Sequence, residues 1–453
     1  MGTRLRIVRR RHINPRRKRE EGIIITLVAV FLLFVVGAMA ALSIDVVTFY
    51  TARSEAQLAA DGAALAGARV LANSGMTSLT VNSSNVSAAI TAAEALAKSI
   101  ATQVAQQNLI EGKPLTAGNI TVSFSNYAVP PNNPHVTVQI QRTDLPTFFA
   151  RIWGTTQVTV VASATAEAYN PSGITNGSTA SLALPIAPSC VKPMLLPNTD
   201  PTSGGTTIFS TLDGSITDPG LLGLEIVSST PLVTRPGLQS ACTSGLACGA
   251  NGTTAWNYYP GDPLTSFPPP SASSVECSGC TTPFQLGIAG CVQTPISCNQ
   301  TVNIDATDAE AWNTDAITAV NALTHATANG AADSINLTVS PTPVPFQFIA
   351  GSENPIVQSS ALTAGANTMV SDSLVTVPVF DNASMNFPTV TSVQVIGFLQ
   401  LFLNPNGNPA PDPVYGQIDA SIINMAGCGA ASTGNNVLGN GGSAVPVRLI
   451  THP

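Results

Sequence analysis

Hydrophobic and polar positions alternate in three different ways along this 453-residue chain, and the changes mark its parts. From Ile23 to Ile44 (IIITLVAVFLLFVVGAMAALSI) 22 residues carry no charge, and only Thr26 and Ser43 bring polar side chains. At 1.5 Å per residue this run spans about 33 Å, enough to cross a hydrocarbon core of roughly 30 Å. After Asp45 the pattern stays helical, but the apolar positions shrink to alanine. Ala56, Ala60, Ala64 and Ala68 recur every fourth residue, with Ala59, Ala63 and Gly67 beside them. Residues 73–84 read as a turn. A second helix over about 86–109 carries its own stripe: Ala89, Ala93, Ala97, Ala101 and Ala105. Residues four apart share a helix face, so the simplest arrangement is an antiparallel hairpin packed along its two stripes.

The period then becomes two. Residues 120–127, 136–141 and 158–162 alternate as half-buried strands do, and Asn132-Asn133-Pro134 makes a turn between the first two. Residues 145–153 (LPTFFARIW) predict a short apolar helix that ends at Gly154. A polar, glycine-containing joint follows at 170–181 (NPSGITNGSTAS). Beyond it the candidate strands are 206–210, 335–339, 374–380, 393–403 and 445–450. A single helix stands out there, over 305–328, with acidic residues in its first turn to suit the helix dipole. The expected fold class is α+β and membrane-anchored. A long transmembrane helix continues into an Ala-rich hairpin with a small three-stranded antiparallel sheet, and a mainly β extracytoplasmic domain follows. The parts are a basic leader (1–21), the transmembrane helix (22–44), a helix–helix–sheet unit (45–169), the linker (170–181) and a Cys-containing β-rich domain (182–453).

Charge sharpens this picture. Only 9% of residues are charged, against about 25% in ordinary soluble domains. Nine of the 18 Lys and Arg residues lie between Arg4 and Arg19, leaving nine basic against 23 acidic groups over 22–453, a net of −14. Nucleic-acid binding needs clustered cations on the folded part, and none exist, so that class is excluded. The basic leader places the N-terminus in the cytoplasm and residues after Asp45 outside, with the membrane between. A cleaved signal peptide is the competing reading, because Ala38-Met39-Ala40 satisfies the small-x-small rule after an apolar stretch over 23–36. The apolar run continues past that site and helical sequence follows directly, which argues for an uncleaved anchor. Asp45 then sits at the outer membrane edge, where it either is a simple interfacial residue or contacts a partner.

All eight cysteines lie in the last domain: Cys190, Cys242, Cys248, Cys277, Cys280, Cys291, Cys298 and Cys428. An even count in an oxidising compartment points to disulfides. Cys190 and Cys428 flank the cluster and are candidates to join the two ends of the domain. Cys277-Ser-Gly-Cys280 could instead be a redox pair or half a zinc site, but it has neither the second close pair that zinc wants nor a helix start behind it. The four histidines are His12, His135, His325 and His452, and none belongs to a catalytic motif. Asp213-Gly-Ser215-Ile-Thr217 has the D-x-S-x-[ST] spacing of a von Willebrand A metal site, but the strand–helix alternation of such a domain does not follow, and a polar turn explains it better. The expectation is a protein that is not an enzyme, with no cofactor and no bound metal.

The segment from Gly22 to Ala72 resembles the N-terminal part of Flp (Tad, tight-adherence) pilus-assembly proteins of the TadE/TadG type. The residues that carry the likeness are the basic leader, Gly22 opening the apolar helix, the Gly37…Ile44-Asp45-Val46…Tyr50 passage, and the run from Gln57 through Asp61 to Gly67. The helix-and-strand unit to about Tyr169 is similar to that group as well, and Leu184-Pro-Ile, Cys190-Val-Lys-Pro, Val377–Asp381 and Val395–Phe398 have the flavour of larger TadG-like proteins. The resemblance implies an anchored, periplasm-facing component of a pilus apparatus, with the lipid bilayer and other pilus-assembly or pilin-like proteins as partners. Two features depart from the group. No von Willebrand A domain is evident, and Glu20-Glu21 before Gly22 with Thr26 after it does not fit prepilin processing. The rival expectation is an anchored or secreted adhesin whose last domain holds a surface ligand.

Overall fold

The computed structural model describes residues 16–79, 86–125, 133–173, 183–200, 206–223, 225–229, 255–257, 259–260, 271, 275–303, 309–326, 330–336, 345–381, 391–403, 418–429, 435–439 and 443–450. Cys242 and Cys248, the first turn expected for the 305–328 helix and most of the 170–181 joint lie outside them.

The apolar run and the first alanine stripe form one unbroken helix, α1, Arg16–Asn73. Nothing in it is a breaker: no proline occurs, and alanine is the best helix former. It ends where Gly75 takes a left-handed φ of 83°, a conformation glycine adopts without steric cost. A Cβ there would also come within 2.6 Å of the Phe346 ring. The second stripe lies on α2, Val86–Gln106, with Ala89, Ala93, Ala97, Ala101 and Ala105 all buried.

Three strands follow: β1, Ile120–Ser125, β2, His135–Pro146, and β3, Gln157–Ala168. They pair in sequence order as antiparallel neighbours, with a register shift between Arg142 and Leu145. The alternation of β2 buries Val136, Val138 and Ile140. α1 lies along β2 and β3 while α2 covers β1. Gln57 ties the layers by donating from Nε2 to the Ser163 carbonyl at 3.1 Å. The helix expected over 145–153 does not form as such. β2 runs on to Pro146, and only a single 3-10 turn, Ala150–Trp153, follows. Pro146 removes a donor and sets φ, so the apolar composition of that stretch does not become a full α-helix.

The remaining chain is mainly β. Its principal sheet contains β4, Met194–Pro197; β5, Glu225–Ser229; β6, Ala255–Asn257; β7, Tyr259–Pro260; β8, Thr301–Asn303; β9, Leu374–Phe380; β10, Ser392–Leu403; and β11, Ile418–Gly427. The order is β7-β4-β9-β10-β11-β5-β6, with β8 pairing the start of β10. β4 with β9 and β5 with β6 are parallel, and the other pairs are antiparallel. Every residue of β9 is buried, which is the mark of a strand covered on both faces. Gly397 and Gly427 are required on β10 and β11, because a Cβ on either would meet the Phe209 ring at 2.5–2.7 Å. The candidate strand at 206–210 is instead a tight turn held by a bridge between Phe209 and Ile216. Helix α3, Pro283–Ala289, packs on α4, Ala309–Leu323, which lies within the span expected for the one prominent helix of this part.

The final strand, β12, Val447–Ile450, leaves this sheet and pairs antiparallel with β3. The first sheet is therefore four-stranded, β12-β3-β2-β1, not three-stranded. Arg448 fixes the pairing: its Nε donates to Glu167 Oε2 at 2.8 Å, and its guanidinium lies 4.9 Å from the centre of the Tyr169 ring.

Candidate functional site: two ends of one helix

The carboxylate expected at the membrane edge is not open to solvent. Asp45 is 1% exposed, covered by the loop between β2 and β3. Its Oδ1 accepts from the Phe148 N–H at 3.0 Å, and its Oδ2 accepts from Phe149 at 3.0 Å and Ala150 at 2.7 Å. Burial alone would raise the pKa of this carboxyl, but the N–H groups of Ala150, Phe148 and Phe149 outweigh it and hold the group below its ordinary 3.8. Asp45 is thus an internal clamp that fastens a loop to the helix where the apolar span ends. The sequence left Asp45 open between a simple interfacial residue and a partner contact; within the chain its carboxylate is taken up by the backbone of this loop.

Along the next turns of α1, Ala56, Ala60, Ala64 and Ala68 are wholly buried. A Cβ on Gly67 would lie 3.3 Å from Ala101 Cβ and 3.6 Å from the Ala97 carbonyl. Further back along α1, Glu55 accepts from the Glu111 N–H at 2.7 Å, beyond the end of α2. The register rises on one helix as it falls on the other, so the hairpin is antiparallel and its helices meet through these small residues.

At its far end α1 runs into the principal sheet through a buried polar network. Asn424 of β11 accepts from the hydroxyls of Thr77 and Ser78 and donates to the Ala72 carbonyl and, at 2.6 Å, to Gln400 Oε1. Gln400 of β10 donates in turn to Asn73 Oδ1 at 3.1 Å, and Asn73 donates to the Met369 carbonyl. Asn170 bridges the carbonyls of Thr77 and Met425. Periodicity does not single out these amides as a group, although one signal was present. Gln400 and Asn424 each interrupt a run of apolar strand residues, where a polar side chain is stable only with partners.

Beside this network lies a cleft of about 340 Å³, lined by Arg69, Asn73, Lys192, Met369, Asp372 and Gln400 among others. Lys192 is buried and donates from Nζ to the Gly290 carbonyl at 2.6 Å. Burial pushes its ammonium down to about 8, against the opposing pull of Asp372. Asp372 also meets His325 Nε2 at 3.4 Å, and that contact outweighs burial and raises the histidine's pKa. The cleft holds cations and one carboxylate but no nucleophile–base pair among its described residues.

The cysteines pair differently from the arrangement proposed for the domain ends. Cys190 is joined to Cys291, and Cys428 to Cys298. Each outer cysteine is thus bound to a member of the central cluster and not to the other. Cys277 and Cys280 are joined to each other. Against the expectation that no helix starts behind them, α3 opens at Pro283 with Thr282 as its cap, because Pro at the first helical position and the Thr282–Gln285 capping box satisfy its free N–H groups. At Asp213, Oδ1 accepts from both the N–H and the hydroxyl of Ser215, a self-contained polar turn. Among the described residues no three His, Cys, Asp or Glu side chains gather as metal ligands would.

One helix among the described residues, within α1, is long and apolar enough to cross a membrane, which fits a single-pass anchor. Comparison with curated proteins and with solved structures finds no match to either. The model of the Tad family, described as Flp pilus-assembly TadE/G-like, does match, over residues 24–70. That stretch runs from the second residue of the apolar span to the last turn of the alanine stripe, so the chain carries a TadE/TadG-like segment as the core of its first helix.

Proposed function

We propose that this protein is a membrane-anchored, non-catalytic component of Flp/Tad-type pilus assembly, with residues 1–21 in the cytoplasm and the folded head on the outer side of the inner membrane. The observation that carries the reading is the matched segment itself, which is one continuous helix. Its first part is bare and apolar, and its second part is the centre of the head's first unit. Anchor and head therefore share one helix, fastened to the sheet at Asp45 and to the β domain at Asn73. Such an arrangement presents a low-charge, hydroxyl- and amide-rich surface above the bilayer, suited to protein–protein contacts. The span supplies helix–helix or helix–lipid contacts within the membrane.

The test is genetic and structural. Cells lacking the protein should lose assembled pili, and the intact chain should restore them. A version with Cys277→Ser and Cys280→Ser should restore them too, because no thiol chemistry is involved. Normal piliation without the protein would refute the assembly role. Failure of the double serine variant, despite normal accumulation and melting temperature, would refute the non-catalytic one.

A further inference from the structure

The loop between β2 and β3, residues 147–156, leaves large apolar side chains uncovered at the level where the membrane span ends. Phe148 is 60% exposed and Ile152 72%. The backbone of Phe148–Ala150 is hydrogen-bonded to Asp45, the first residue after Ile44. From there α1 and β3 run away from the membrane together, since Gln57 reaches Ser163 as Asp45 reaches Ala150. The β2–β3 turn is thus the membrane-side tip of the head. Apolar surface is continuous with the span on α1 as well, where Val47 and Tyr50 are exposed.

We propose that this loop is a second membrane contact, with Phe148 and Ile152 seated in the bilayer interface beside the anchor. The inference rests on the anchored reading above. Two further observations support lipid as the occupant. First, backbone polar groups can enter an apolar medium only when satisfied internally. Here Asp45 takes the N–H groups of Phe148, Phe149 and Ala150. Thr147 donates to the Thr156 carbonyl, Ile152 to Phe149, Gly154 to Arg151 and Thr155 to Ala150, while the Thr147 hydroxyl donates to the Thr155 carbonyl. Second, residues 145–157 include no acidic side chain, and their one charge is the exposed Arg151, placed where lipid phosphates lie. The Asp45 carboxylate, enclosed by N–H donors, presents no bare negative charge to them. Interfacial segments bind by burying apolar side chains beside cationic ones. With two attachment points instead of one, the head cannot rotate freely about the axis of α1.

The full chain in nanodiscs of phosphatidylethanolamine and phosphatidylglycerol tests this. A photoreactive benzoylphenylalanine is placed in turn at Phe148, Ile152, Val36 within the span, and Leu58. Leu58 is exposed on the same helix about 20 Å beyond Asp45. Lipid adducts at 148 and 152 should come within about threefold of those at 36 and exceed those at 58 by roughly tenfold, as interfacial burial requires. Lipid adducts at 36 but not at 148 or 152 would overturn the loop contact and leave the anchor intact. Adducts at 148 or 152 mainly to protein would overturn it in favour of a protein partner. Absence of lipid adducts at 36 would overturn the anchored reading and this inference with it.

Discussion

Over its first half, α1 carries bulky side chains that none of the described residues covers, with Leu33 75% and Phe34 72% exposed. Over its second half, Ala56, Ala60 and Ala64 are wholly buried. Both halves are apolar and both are helical, yet they meet opposite surroundings. Where lipid is the neighbour, fluid chains fill the space around any side chain, and bulk adds apolar area without demanding a fit. Where another helix and a sheet are the neighbours, the helix axis must approach closely, and only small residues allow that. Size, more than hydrophobicity, separates anchor from core along this one helix.

The strongest way to break the comparison is to put anchor-sized residues into the core half. Ala60→Leu with Ala64→Leu should destabilise the head by about 2–6 kcal/mol, since each overpacked site costs ~1–3 kcal/mol. Val28→Ala with Leu32→Ala in the span should leave denaturant unfolding of the head within ~0.5 kcal/mol of wild type, as substitutions away from packed features do. Next comes the far end of the core half. Asn424→Ala strips partners from Thr77, Ser78, Gln400 and the Ala72 carbonyl together, and should cost about 3 kcal/mol. Amide exchange of residues 72–78 should rise in that variant more than exchange along α2.

A smaller effect concerns Lys192, in the cleft beside that junction. Its folded pKa of about 8 lies below the ordinary 10.5, so between these values the unfolded chain binds more protons and stability rises with pH. The rise should reach on the order of 3 kcal/mol at most, from 1.36 kcal/mol per pH unit. Lys192→Met should abolish that rise and, at pH 7, be as stable as wild type or up to ~2 kcal/mol more so, as removal of a buried ion permits. The smallest effect lies at the membrane end. Asp45 has a depressed pKa, so its clamp is fully present above pH 3.8 and is lost as pH falls through its lower folded value. Amide exchange at Phe148–Ala150 should stay slow down to that range, whereas Asp45→Asn should speed it at neutral pH without moving the melting of β9–β11.

Local patterning made much of this architecture legible. The 22-residue apolar run, alanine every fourth residue and strict alternation over β1–β3 each reflect neighbours close in sequence. Long-range partners were not legible. No local feature tells β12 that its neighbour is β3, and the Glu167–Arg448 pair that holds it bridges 281 positions. The cysteine pairs, 101 and 130 positions apart, are set by the fold and not by spacing. Asp45 was visible as a candidate, but its role was not, because its partners are backbone N–H groups in a stretch whose composition suggested a helix. Gln400 and Asn424 look like interruptions until α1 arrives to meet them.

The return of β12 to β3 also orders events in time. While the chain is being made, β3 appears early with one edge unpaired, and its closing strand is synthesised about 280 residues later. Through that interval the first unit carries an open edge that could capture a strand from another chain. The arrival of Val447–Ile450 covers that edge, so a copy cut short before this point keeps it open to strand pairing.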